Sequence, residues 1–188
     1  MKKGILIVLS GPSGVGKGTC IKKFIDDASL NLVYSVSMTT RSPRENEING
    51  VNYHFVSKDR FKQAINNNEL LEWAEFVGNY YGTPYESVNN LLEEGKNVIL
   101  EIEVEGASII KEKCPNALTI FITPPSLDEL RKRIENRSSE TVEVMQARLA
   151  KAEKEIMLQH NYKYVVCNDD PDLASDIIKL IIMNHINK

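Results

Sequence analysis

The stretch GPSGVGKGTC, residues 11–20, follows the apolar run ILIVL of residues 5–9 and decides how the rest of the chain is read. Gly11, Gly14 and Gly16 let a short loop turn its backbone N–H groups inward, and a helix opening behind them adds its positive N-terminus. Lys17 supplies a mobile positive charge. Buried strand, glycine loop, lysine and helix, in that order, are the frame of a phosphate-binding loop, G-x-x-x-x-G-K-[ST], with Pro12, Ser13 and Val15 inside it. One position departs from the pattern. A hydroxyl should follow the lysine, but Gly18 stands there and Thr19 comes one place late.

Outward from the loop, the chain alternates between two periodicities. Residues 5–9, 97–104 (NVILEIEV), 117–123 (ALTIFIT) and 163–168 (KYVVCN) read as strands buried on both faces, which belong to parallel sheets. Helical stretches separate them: 16–27 from the glycine loop, 85–95 ending on Gly95, 126–137 opening with Ser126 as N-cap and Glu129 three places later, and 142–156. This alternation predicts an α/β fold, a P-loop parallel-sheet core flanked by helices. Between residues 35 and 86 the pattern changes to alternating and aromatic segments with turns at Pro43, Gly50 and Gly78, which predicts a small mixed α/β insertion presenting a ligand face.

Composition narrows the function classes. A chain of 188 residues supports one well-cored domain with appendages, and no apolar run approaches the ~20 residues of a membrane span. The opening MKKGILIVLS imitates a signal peptide, but its apolar run is too short, so a strand and a cytoplasmic protein are expected. Cys20, Cys114 and Cys167 are too few and too scattered for a disulfide frame or metal knot. A net charge of −3 disfavours general nucleic-acid binding, so an anionic ligand has to be held by local basic clusters. His54, His160 and His185 have no partners at metal-ligand spacing. Oligomeric state is not legible in the sequence.

One such cluster is SVSMTTRSPR, where Arg41 and Arg44 flank Pro43 and can aim two guanidinium forks at one phosphate. Downstream, Tyr53, Glu72, Tyr81 and Thr83 add hydroxyls and a carboxylate; Trp73 reads as a packing residue. A carboxylate beside a hydroxyl tells guanine, with its N1–H and amino donors, from adenine, whose bare N1 it repels.

The ordered set GPSGVGKGT, SVSMTTRSPR, G-x-NY-x-FVS, EWAEF-x-GNYYGTP and VCNDD resembles guanylate kinase over nearly the whole chain, and its GKGT loop is that of the nucleoside monophosphate kinases. The resemblance implies the transfer of a phosphoryl group from ATP to GMP, and to dGMP, with Mg2+ as cofactor, and small-molecule partners alone, with no nucleic acid and no membrane. It implies that Ser37, Arg41, Arg44, Tyr53 and Tyr81 hold the GMP phosphate side, Ser37 also touching the base, while Glu72, Thr83 and Glu103 face guanine. The family commonly has aspartate where Glu103 stands in LEIEVEGA, after Glu101, and glutamine where Glu105 stands. Lys17 and the glycine loop would hold the ATP phosphates. Arg133, Arg137 and Arg148 match lid arginines that close over those phosphates, and Asn168 matches an adenine-side contact. With no hydroxyl on Gly18, magnesium falls to Thr19 through water. The implied division is core 1–34, GMP-binding insertion 35–86, core 87–126, lid 127–152 and core 153–188. Two rival readings are weaker: a non-catalytic scaffold typically loses the phosphate loop, and a GTPase needs D-x-x-G and [NT]-K-x-D motifs that this chain lacks.

Overall fold

β1 (Leu6–Ser10) is buried along its whole length, and its alternation divides the core into two layers. Successive side chains of a strand point to opposite faces. Ile7 and Leu9 accordingly join one cluster with Ile99, Ile120, Leu130, Ile134, Ile178 and Ile182. Leu6 and Val8 join the other, with Val88, Val98, Leu100 and Ile110. Each such side chain, fully buried, contributes ~1.5–3 kcal/mol. The computed structural model describes residues 2–76, 78–136 and 142–187.

Along the chain, β1 and the glycine loop lead into α1 (Lys17–Lys22), then β2 (Leu32–Tyr34). Next come β3 (Met38–Thr39), β4 (His54–Phe55), α2 (Lys58–Asn66), β5 (Leu70–Phe76), β6 (Asn79–Pro84) and α3 (Tyr85–Glu93). The remaining elements are β7 (Asn97–Glu101), α4 (Val104–Lys113), β8 (Leu118–Thr123), α5 (Leu127–Glu135), α6 (Val142–Met157), β9 (Tyr164–Cys167) and α7 (Pro171–Ile186). The main sheet has the order β2-β7-β1-β8-β9, and every pairing in it is parallel. Chain order reverses on either side of β1, so the glycine loop at its C-terminal end sits at the switch point where α/β sheets bind ligands. A second sheet, β4-β3-β6-β5, carries the aromatic segments.

The expected α/β core with a mixed insertion is thus present, while several boundaries differ. The run 97–104 is a strand only to Glu101, because Glu103 is already the N-cap of α4. The stretch 16–27 is helical only to Lys22, with Lys23 as its C-cap. Asn-Asp-Asp-Pro, which by itself would make an ordinary turn, starts α7: Asp170 Oδ1 accepts from the N–H groups of Asp172 (2.7 Å) and Leu173 (3.2 Å), with Pro171 in the first turn. Ser126 caps α5 as expected, accepting from the Glu129 N–H at 3.1 Å. Gly95 takes φ +78 just past α3. No described helix is long and apolar enough to cross a membrane.

Candidate active site

The glycine loop owes its shape to close approaches that a side chain would block. Gly14 and Gly16 have φ of +86 and +99, and a Cβ on Gly16 would lie 2.5 Å from Asn168 Nδ2. That amide donates to the Val15 carbonyl at 2.7 Å, so Asn168, buried at the end of β9, braces the loop from beneath. Lys17 folds back over the loop, its ammonium donating to the carbonyls of Gly11 (2.7 Å) and Pro12 (3.2 Å). Burial lowers its pKa, against the opposing pull of Glu101, Glu103 and Glu155. Two of the sequence-predicted lid arginines reach this region. Arg148 on α6 donates to Ser13 Oγ at 2.9 Å, and Arg133 on α5 donates to the Asn168 carbonyl at 2.9 Å. Arg137 lies outside the described residues.

The second sheet builds the other end of the site. In the β5–β6 register Glu72 stands opposite Thr83, whose hydroxyl donates to Glu72 Oε1 at 2.5 Å. Both residues are buried, and desolvation raises the Glu72 carboxyl above the usual carboxylate range despite that hydrogen bond. Small residues leave space in front of it: Ala74, Gly82 and Gly106 line the cleft beside Glu72, whereas Thr83 sits behind it. The two arginines do not share one position. Arg44 lines the cleft, but Arg41 donates to Glu47 Oε1 (2.9 Å) and the Ser42 carbonyl (2.8 Å) and lies over the rings of Tyr53 and Phe55. Glu47 also accepts from the Arg44 N–H at 2.7 Å, so one carboxylate shapes the turn that Pro43 begins.

Between the two ends stand acidic residues at the C-terminal edge of β7. Glu101 Oε2 accepts from the Tyr34 hydroxyl at 2.6 Å and lies 3.3 Å from where a Cβ on Gly18 would be. The position that lacks a hydroxyl is therefore the one that faces a carboxylate. Glu103 pairs with Lys151 of α6, which also lies 3.8 Å from Glu155 Oε1. Burial pushes the Glu155 carboxyl up to about 7, although the Lys151 ammonium pulls it the other way.

Glycine loop and Glu72 open onto one cleft of about 490 Å³, a volume suited to small-molecule ligands. A family model described as guanylate kinase matches residues 3–185. Guanylate kinases of Bacillus cereus and Bacillus anthracis are each 51% identical over 182 residues, 97% of this chain and 89% of theirs. The chain belongs to the guanylate kinase family. The crystal structure of guanylate kinase from Anaplasma phagocytophilum superposes with a TM-score of 0.79 at 33% identity, covering 100% of this chain and 89% of that one. A shikimate kinase from Bacteroides thetaiotaomicron shares the fold alone, at 13% identity and a TM-score of 0.51. As a guanylate kinase, the enzyme uses ATP to phosphorylate GMP, yielding ADP and GDP.

Of the residues expected from sequence, Ser13, Gly14, Gly16, Lys17, Gly18 and Thr19 line the cleft at its glycine-loop end. Ser37, Arg44, Tyr53, Glu72, Tyr81 and Glu103 line the same cleft. Gly11, Pro12 and Val15 are the buried residues of the loop and do not line the cleft. Trp73 packs edge-on against Tyr80 and does not line the cleft, but at 40% exposed it is not a core residue. Sequence reasoning missed Tyr34, Glu47 and Lys151. The spacing of Lys151, three residues after Arg148, was the available signal that both share one helix face.

Proposed function

We propose that ATP lies along the glycine loop with its terminal phosphates at Lys17, and that GMP lies with its base against Glu72 and Glu103 and its phosphate toward Arg44, Tyr53 and Tyr81. The observation that carries this reading is that a buried carboxylate, held by Thr83, faces the same cleft as the loop lysine. Two donors on guanine, N1–H and the amino group, match carboxylate acceptors, and adenine lacks that match.

A GMP phosphate oxygen attacks the γ-phosphorus of ATP in line. The new P–O bond forms as the bond to the bridging oxygen breaks, and ADP leaves with that oxygen. The attacking oxygen is already ionised near neutral pH, so no general base is required. Catalysis comes from alignment and from charge neutralisation by Lys17 and the arginines, in keeping with a loose transition state. Arg41 acts by holding the Pro43 turn and the Tyr53 ring in place. Arg133, Arg137 and Arg148 belong to a lid over residues 127–152 that excludes water, and residues 35–86 form the acceptor-binding part.

Magnesium enters with ATP. Among the described residues, no group of three or more His, Cys, Asp or Glu could hold a metal ion alone. The chemistry of the site fits an ion carried by phosphates: Thr19 offers a hydroxyl at the loop and Glu101 a carboxylate beside Gly18. When bound, the ion neutralises and orients the polyphosphate. The recognition groups face base and phosphate, which supports dGMP as a second acceptor. The three free cysteines suit a reducing compartment, which supports a cytoplasmic enzyme of purine nucleotide metabolism.

The test is initial-rate ADP formation with GMP, dGMP, AMP or no acceptor, with and without magnesium, in wild type and Lys17→Ala. Turnover with both guanine acceptors, dependent on magnesium and reduced ~10³-fold or more in the variant, is the expected result. Comparable rates with AMP would overturn the assignment of Glu72.

A further inference from the structure

Glu103 caps α4 with extended backbone angles, φ −74 and ψ 164, yet its side chain makes no capping hydrogen bond to its own helix. Its carboxylate is held from elsewhere. Lys151 reaches across from α6 and donates to Glu103 Oε2, while lying 3.8 Å from Glu155 Oε1 on its own helix. The Lys151 and Glu103 side chains are 32% and 35% exposed, so their attraction is screened only in part. Arg148, one turn earlier on the same face of α6, donates to Ser13 of the phosphate loop. Two successive turns of one helix therefore touch the donor loop and an acceptor-side carboxylate.

We infer that Lys151 is a positioning residue for acceptor selectivity: by holding Oε2 of Glu103, it presents Oε1 to the 2-amino group of the guanine ring. This rests on the reading that Glu103 faces the acceptor base. A glutamate has three rotatable bonds, and an unrestrained carboxylate would pay rotamer entropy when it meets a ligand. Glu103 can also turn back to cap the open N–H groups of α4, a position that the pull of Lys151 opposes. Removing the ammonium frees both alternatives. Glu155 limits the structural side effect, because its carboxyl, pushed up to about 7, takes up a proton readily once the cation beside it is gone. Glu105, exposed in the first turn of α4, adds negative charge around Lys151 without lining the cleft.

The experiment compares kcat/KM for GMP and for inosine monophosphate, which differs from GMP only in lacking the 2-amino group. It uses wild type, Lys151→Met, Lys151→Arg, Glu103→Gln and the Lys151→Met/Glu103→Gln double variant. The expected result is that Lys151→Met cuts the GMP-over-IMP preference about tenfold, through KM for GMP and not KM for ATP, the scale of one poorly held hydrogen bond. Lys151→Arg restores most of the preference, and in the Glu103→Gln background Lys151→Met changes it by less than about twofold. If Lys151→Met does not fold, Lys151→Gln carries the same comparison. An unchanged preference in Lys151→Met with a lowered melting temperature would overturn the inference and leave the pair as a plain helix staple. A wild type with no preference for GMP, or a Glu103→Gln enzyme that keeps it in full, would instead overturn the placement of Glu103 against the base.

Discussion

Gly106→Ala should injure GMP recognition by displacing Glu72 and not by removing any group that bonds GMP. A Cβ on Gly106 would lie 2.4 Å from Glu72 Oε2, 3.0 Å from its Cδ and 3.5 Å from its Cγ. Ordinary contact begins near 3.4 Å, so the carboxylate has to retreat by roughly 1 Å. It cannot do so freely, because Glu72 is 5% exposed and its other oxygen is held by Thr83. A retreat of that size misplaces at least one charge-assisted hydrogen bond to the base, ~1.5–3 kcal/mol, or roughly 10- to 150-fold in kcat/KM for GMP. Alanine improves helix propensity by ~1 kcal/mol in α4, offsetting part of an overpacking cost of ~1–3 kcal/mol, so the protein should remain folded. Initial rates of ADP formation against GMP at saturating ATP measure the effect, with KM for ATP as internal control. A folded Gly106→Ala enzyme with kcat/KM for GMP within threefold of wild type would refute the reasoning, since Glu72 would then either have room to spare or not touch the base.

The titration of Glu72 gives a second expectation. Because burial raises its carboxyl, and only the ionised form accepts from both guanine donors, kcat/KM for GMP should begin to fall at a pH above the ordinary carboxylate range of ~4.3 as the solution is acidified. A profile flat down to that range would contradict it. For Glu155, whose carboxyl burial lifts to about 7, the folded state binds the proton more tightly than the unfolded chain. That contribution to stability is complete below ~4.5 and is lost as pH rises through about 7. Glu155→Gln should therefore raise thermal stability at pH 8, by about 2 kcal/mol after discounting, and by little at pH 5. The opposite ordering would mean that the Lys151 attraction outweighs burial. Asn168→Ala removes the donor to the Val15 carbonyl, so it should cost ~1–3 kcal/mol of stability and raise KM for ATP more than KM for GMP; equal effects on both would place Asn168 outside the loop's support.

The phosphate loop was legible in the sequence because its geometry is local: strand, glycines, lysine and helix are contiguous, and backbone conformation alone makes the cradle. The alternation of buried runs and helical stretches likewise placed β1, β7, β8 and β9 in a parallel core. Shorter or ambiguous elements escaped it. β2 has three residues, and the apolar start of α4 reads as a continuation of β7 until the backbone turns at Glu103. Local chemistry named Arg41 and Arg44 as a pair, but only the folded turn separates Arg44 at the cleft from Arg41 clasped by Glu47.

By itself, then, the sequence determined the kind of fold, the phosphate loop and the candidate residues that line the cleft from either end. Tertiary structure alone decided which charges meet there. Tyr34 and Glu101 are 67 positions apart, and Glu103 and Lys151 are 48 apart, so no periodicity or spacing could bring them together. The first contact is set by the pairing of β2 with β7 and the second by how α6 packs into the core through Ala152, and packing depends on the summed shape of buried side chains, which a linear pattern does not carry.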